Sequence, residues 1–66
     1  MWIRLNGEPY ELTEAVTVTQ LLNDLKIDAR RVAVEVNLVV LKRGTFESTV
    51  IREGDQVEIV NFVGGG

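Results

Sequence analysis

Thr17 and Gln20 form the T-x-x-Q capping box that opens a helix, and Val16 and Leu21 stand at its N′ and N4 positions as a hydrophobic staple. Val18, Leu21, Leu22 and Leu25 then recur at the i, i+3, i+4, i+7 spacing. The pattern predicts one helix over 17–26 with a leucine stripe along one side. A stripe of that kind must be covered, and no other stretch shows a comparable period, so the cover has to come from strands. This constraint makes the chain an α+β domain in which a sheet lies against one main helix.

The strands can be read around it. In residues 1–12, Ile3 and Leu5 alternate with Trp2 and Arg4, Asn6-Gly7 supplies a left-handed turn, and Tyr10 and Leu12 alternate on the return. Pro9 in that second strand lacks an N–H and predicts an edge position. Trp2 alternates away from the core face and is read as a half-buried sheet residue. Asp28-Ala29-Arg30-Arg31 is read as a connection with solvated arginines. In Val32-Ala33-Val34-Glu35-Val36 the three valines point inward, and Asn37-Leu38 turns the chain into a short fourth strand, Val39-Val40-Leu41. Lys42-Arg43-Gly44-Thr45-Phe46 reads as a loop or single helical turn with Phe46 tucked beneath it. Lys42 and Arg43 make a small basic spot, a candidate contact for an acidic partner surface. Arg52-Glu53-Gly54-Asp55 is a turn whose glycine can take positive φ. In the final strand Val57 and Ile59 share one face, which leaves Val60 and Phe62 on the other as a candidate docking patch.

A chain of 66 residues is one domain, spanning 1–66, and carves a multi-residue catalytic cleft only at the expense of its single small core. It has no Cys and no His, which removes the thiolate nucleophile, the usual zinc ligands and the usual general base. No catalytic residue and no metal site are therefore assigned. A net charge of −3 disfavours nucleic acid, whose phosphates call for clustered Lys and Arg. No apolar run approaches the length of a membrane span and no signal pattern opens the chain, so a cytoplasmic location is expected.

The last strand runs into Gly64-Gly65-Gly66. Glycines have no side chains and few forbidden dihedrals, so a tail of three can enter a channel too narrow for other residues. A carboxylate on Gly66, delivered in that way, could attack the α-phosphate of a nucleotide held by a partner enzyme. The same glycines also suit an inert flexible terminus, and composition and spacing do not separate the two.

Asn6-Gly7, the helix carrying Thr17-Val18 and Leu21-Leu22, Val32-Ala33-Val34-Glu35-Val36-Asn37, and Gly54-Asp55-Gln56-Val57-Glu58-Ile59-Val60 followed by Phe62-Val63-Gly64-Gly65-Gly66 resemble the ThiS family of thiamine-biosynthesis sulfur carriers over the whole chain. Leu38 stands where that family often has glycine, and Leu41-Lys42-Arg43 replaces a stretch that often contains proline. The resemblance implies a ubiquitin-like β-grasp fold, a mixed sheet of four to five strands packed on one helix with first and last strands adjacent at its centre, ending in a flexible glycine tail. It also implies a carrier that binds no cofactor itself. A ThiF-like, E1-type enzyme would use ATP and magnesium to adenylate Gly66, a persulfide donor would convert it to a thiocarboxylate, and thiazole synthase would accept the sulfur. Gly64 and Gly65 would give the slim approach. The alternatives are the small subunit of molybdopterin synthase, a ubiquitin-like modifier of lysines, and a non-covalent β-grasp binding module.

Overall fold

The computed structural model describes residues 1–62. Strands β1 (Trp2–Leu5) and β2 (Glu8–Glu11) form the expected antiparallel hairpin, with Ile3 opposite Tyr10 and Arg4 opposite Pro9. Asn6 and Gly7 both take positive φ, 51° and 83°, as the tight turn between right-twisting strands requires. β2 is an edge strand, so the missing N–H of Pro9 leaves no ladder acceptor unpaired inside the sheet.

Helix α1 (Val18–Asp24) opens on the capping box: the Gln20 N–H donates to Thr17 Oγ1 (3.1 Å) and the Thr17 N–H donates to Gln20 Oε1 (2.8 Å). Two more unpaired N–H groups of the first turn are taken up by backbone from later in the chain, Val18 donating to the Thr49 carbonyl (3.0 Å) and Thr19 to that of Phe46 (3.1 Å). The regular helix ends earlier than the apolar pattern implied. Leu25 is already the C-cap, Lys26 swings to φ 59°, and Ile27 N–H reaches back to the Leu22 carbonyl (2.9 Å) in a Schellman closure. Leu25 continues the stripe from the cap, partly buried against the core, which is why periodicity alone overran the boundary.

β4 (Val32–Val36) and β5 (Val39–Val40) form a second hairpin, and β7 (Gln56–Asn61) closes the main sheet in the order β2-β1-β7-β4-β5. β7 runs parallel to β1 (Leu5 opposite Val57) and antiparallel to β4, from Val32 opposite Asn61 to Val36 opposite Val57. First and last described strands thus lie side by side at the centre, the β-grasp arrangement. A separate two-stranded pairing of β3 (Val16–Thr17) with β6 (Val50–Ile51) was not expected from the sequence; two residues per strand leave no alternation to read.

The core forms where Val18, Leu21 and Leu22 of α1 meet Ile3, Val32, Val34 and Val57 of the sheet, closed at its ends by Leu12, Phe46 and Ile51. Phe46 follows a single 3-10 turn (Arg43–Thr45), as expected, and is buried. Burial of β7 is one-sided, as the alternation implied, because the helix covers one face of the sheet. One expectation needs correction. Trp2 is 52% exposed, more open than a half-buried sheet residue.

Leu38 sits at φ 72° and is 82% exposed. A branched side chain at positive φ costs roughly 1–2 kcal/mol, and here no burial offsets it. Leu38→Gly is therefore expected to stabilise the protein by about 0.5–1 kcal/mol after the greater unfolded-state entropy of glycine is counted, seen as a thermal midpoint raised by a few degrees.

Candidate functional site

The last described strand sets the site. Val57 is fully buried and Ile59 partly buried against the core, whereas Glu58 and Val60 point away from α1. Both edges of β7 are pinned. Asn6 donates its backbone N–H to the Val57 carbonyl (2.9 Å) and accepts the Ile59 N–H at its side-chain oxygen (2.7 Å), which extends the β1 pairing beyond the end of that strand. On the other side the Phe62 N–H donates to the Arg31 carbonyl (2.9 Å). Asn6 thus both makes a turn and anchors β7, a role that sequence reading missed because its partner lies 53 residues away.

Val60, 54% exposed, and Phe62, 52% exposed, stand in the open at the end of β7. Across the sheet, Ala33 is the strand partner of Val60, and Val40 is the partner of Glu35 in the neighbouring row. Ala33 and Val40 therefore belong to the same outward face, and neither had been singled out as a site residue. Gly64, Gly65 and Gly66 lie outside the described residues.

A cationic rim borders this end of the sheet. Arg43, in the 3-10 turn, donates from Nη2 to the Arg30 carbonyl (3.3 Å), one residue from the carbonyl that holds Phe62. Lys42 caps that turn through its own carbonyl, accepting from Thr45 N (2.9 Å) and Thr45 Oγ1 (2.6 Å), and its side chain is solvent-exposed. The fold therefore brings Arg30 and Arg31 to the side of Lys42 and Arg43. Sequence reading had left that arginine pair as an ordinary connection, and only the tertiary hydrogen bonds place it here.

Asp28 organises the first part of the rim. Its carboxylate caps a 3-10 turn (Ala29–Arg31), accepting the Arg30 N–H (2.9 Å), and takes two further bonds from the Arg30 guanidinium, Nε at 3.1 Å and Nη2 at 2.9 Å. Arg31 Nε stands 3.9 Å away. The guanidinium hydrogen bonds, then the backbone one, pull the Asp28 carboxyl down from 3.8 to about 2. Among the described residues no group of three or more His, Cys, Asp or Glu could hold a metal ion, and no helix is long and apolar enough to cross a membrane.

Comparison with known proteins was decisive for the family. The ThiS family model matches residues 3–66. The chain belongs to the ThiS family. The crystal structure of ThiS from Geobacter metallireducens superposes with a TM-score of 0.89 at 42% identity, covering all of both chains, so this ThiS-family chain and that thiamine biosynthesis protein share the β-grasp fold. The chain is also similar to the thiazole synthase of Magnetococcus marinus, 46% identical over 66 residues, and spans only 20% of that protein's length. It is 42% identical over 64 residues to the uncharacterized protein ycf40 of Porphyra purpurea, 90% of which it covers.

The pH behaviour of the rim is testable. A carboxyl whose folded value is depressed contributes stability that is fully present above its unfolded value near 3.8 and is lost as pH falls toward 2. The group is exposed to solvent, so the contribution is small and screened. In a carboxyl NMR titration Asp28 is expected to have its midpoint near 2 at low salt. At about 1 M salt, where the Debye length falls to roughly 3 Å, the midpoint should move back toward 3.8. An ordinary midpoint at low salt would show that the Arg30 contact does not persist in solution.

Proposed function

We propose that this chain is a sulfur carrier of thiamine biosynthesis, a protein co-substrate whose reactive group is the carboxylate of Gly66. One observation carries the reading: the family match continues through the glycine tail to residue 66, and the agreement with ThiS from Geobacter metallireducens extends over the whole chain. The geometry of β7 is in keeping with it. A strand pinned at both edges and packed on one face holds its end in a defined position. Residues 63–66 span at most about 14 Å when extended.

The chemistry divides between this chain and its partners. A carboxylate oxygen of Gly66 attacks the α-phosphorus of ATP on a ThiF-like E1-type enzyme, which supplies the magnesium, and pyrophosphate leaves. The resulting acyl adenylate is attacked at its carbonyl carbon by the terminal sulfur of a partner's persulfide, and AMP leaves. A thiol then cleaves the acyl disulfide, taking the partner sulfur into a new disulfide and leaving Gly66 as a thiocarboxylate. Thiazole synthase accepts that sulfur. Gly64 and Gly65 give the tail the width of bare backbone, and any Cβ there would meet the walls of a channel shaped for glycine. Val60 and Phe62 provide the apolar contact with the activating enzyme, while Lys42 and Arg43 face acidic groups on it. The acceptor is favoured by the Magnetococcus marinus relative, in which a unit like this one makes up a fifth of a protein named thiazole synthase.

Incubated with a ThiF-type enzyme, ATP and a persulfide donor, the protein is expected to exchange one oxygen for one sulfur at Gly66, read by intact-mass spectrometry. Failure to gain the sulfur with a partner shown to be competent would defeat the carrier reading, as would a native polypeptide that continues untrimmed beyond Gly66. Gly65→Val should abolish adenylation and leave the melting midpoint nearly unchanged, because the core is closed by residues between Ile3 and Val57. Val60→Asp should weaken binding to the activating enzyme by about tenfold or more, again without unfolding, since the side chain already faces water.

A further inference from the structure

Two asparagine side chains hold β7, one at its start and one toward its finish. The Gln56 N–H donates to Asn37 Oδ1 (2.9 Å), and the Ile59 N–H donates to Asn6 Oδ1 (2.7 Å). Asn37 and Asn6 both sit at positive φ, 52° and 51°, in the turns of the two hairpins. Asparagine meets two demands at such a place, since it tolerates the left-handed backbone and its side-chain oxygen can stand in for a main-chain carbonyl.

The Asn6 bond continues a ladder that β1 itself does not. The Arg4 N–H donates to the Asp55 carbonyl (2.9 Å) and the Asn6 N–H to the Val57 carbonyl (2.9 Å), the even spacing of a parallel pair. In that pattern the Ile59 N–H would next meet the main-chain carbonyl of Asn6. The chain turns toward β2 at that residue, and Oδ1 takes the carbonyl's place. Among the described residues Ile59 is the last of β7 to bond on the β1 edge, whereas on the β4 edge the bonds run on to Phe62. Without the Asn6 side chain, residues 59–62 would be held from the β4 edge alone and could swing about it.

We infer that Asn6 is a positioning residue for the adenylation of Gly66, fixing through Ile59 the direction in which the chain leaves the sheet. The reaction rests on the carrier reading, and the constraint rests on the hydrogen bonds of β7. Gly66 is four residues beyond Phe62. Over the roughly 14 Å that residues 63–66 reach at full extension, a swing of about 10° at the strand end displaces the terminal carboxylate by about 2 Å. Misplacement on that scale slows an attack that needs the reacting atoms in line. Asn37 makes the same kind of bond at the opposite end of β7, where it supports the fold and has no hold on the exit.

The test is ATP–pyrophosphate exchange by a ThiF-type enzyme with the full chain as substrate, comparing wild type with Asn6→Gly, Asn6→Asp and Asn37→Gly at a temperature where all four are folded. Glycine keeps the left-handed backbone and the main-chain N–H, so each glycine variant removes side-chain bonds and leaves the turn intact. Asn6→Gly is expected to lower kcat about fivefold or more with KM changed less than about twofold, and to speed hydrogen exchange at the Ile59 amide. Asn6→Asp keeps the acceptor oxygen and should hold kcat within about twofold of wild type. Asn37→Gly should lower the melting midpoint as Asn6→Gly does and leave both kinetic constants at their wild-type values. Equal kinetic losses in the two glycine variants would show that the bond merely supports the fold, and would overturn the inference. An Asn6→Gly protein with wild-type kcat would overturn it too, whether or not the Ile59 amide exchanges faster. In either case wild type is still adenylated and the carrier reading stands. Wild type that supports no exchange overturns both.

Discussion

The packing of α1 against one face of the sheet governs every other feature of this molecule. Val18, Leu21 and Leu22 close over Ile3, Val32, Val34 and Val57, and each of the seven is nearly inaccessible to solvent. A chain of 66 residues supplies only one helix with an apolar stripe, so it can cover only one face. The opposite face stays open by necessity. Val40, Glu58 and Val60 are exposed and Glu35 is half-buried, and among the described residues no further element covers them. The same packing fixes β7, whose inward residues are held by the helix and whose edges are held by Asn6 and Arg31. A one-layer shortage of structure thus leaves both a rigid exit for the last strand and a broad surface beside it.

Much of this was legible in the sequence because the signals are local. Asn6-Gly7, the Thr17–Gln20 box and the alternation of Val32 to Val36 each depend on neighbours a few residues away, and each appears where the pattern put it. The inward placement of Val57 and outward placement of Val60 followed from period-two alternation alone. What the sequence concealed depends on partners distant along the chain. The β3–β6 pairing is too short to show a period. The cationic rim exists because Arg43 reaches the carbonyl of Arg30 and Phe62 that of Arg31, contacts with no local trace. The end of α1 was misplaced for a related reason, since Leu25 keeps the spacing of the stripe while serving as the cap. The role expected of Gly64, Gly65 and Gly66 falls on residues outside those described.

Family membership and geometry contribute different things. Membership of the ThiS family is in keeping with a chain that has no cysteine and no histidine, because on the carrier reading such groups belong to its partner enzymes. The geometry distributes charge around that role. Against a net charge of −3, four of the seven Lys and Arg residues, namely Arg30, Arg31, Lys42 and Arg43, gather at one end of the sheet. Two carboxylates oppose each other nearer its middle.

The parallel contact between β1 and β7 has a consequence for biosynthesis. A hairpin can form as soon as its two arms have left the ribosome, but β1 must wait for almost the whole chain before its central neighbour arrives. Until β7 inserts, Ile3 and Val34 lack the strand between them and the nascent polypeptide has no continuous sheet for α1 to rest on. A fragment released before β7 is made therefore lacks the centre of the sheet, and the apolar stripe of α1 has no continuous surface to cover it.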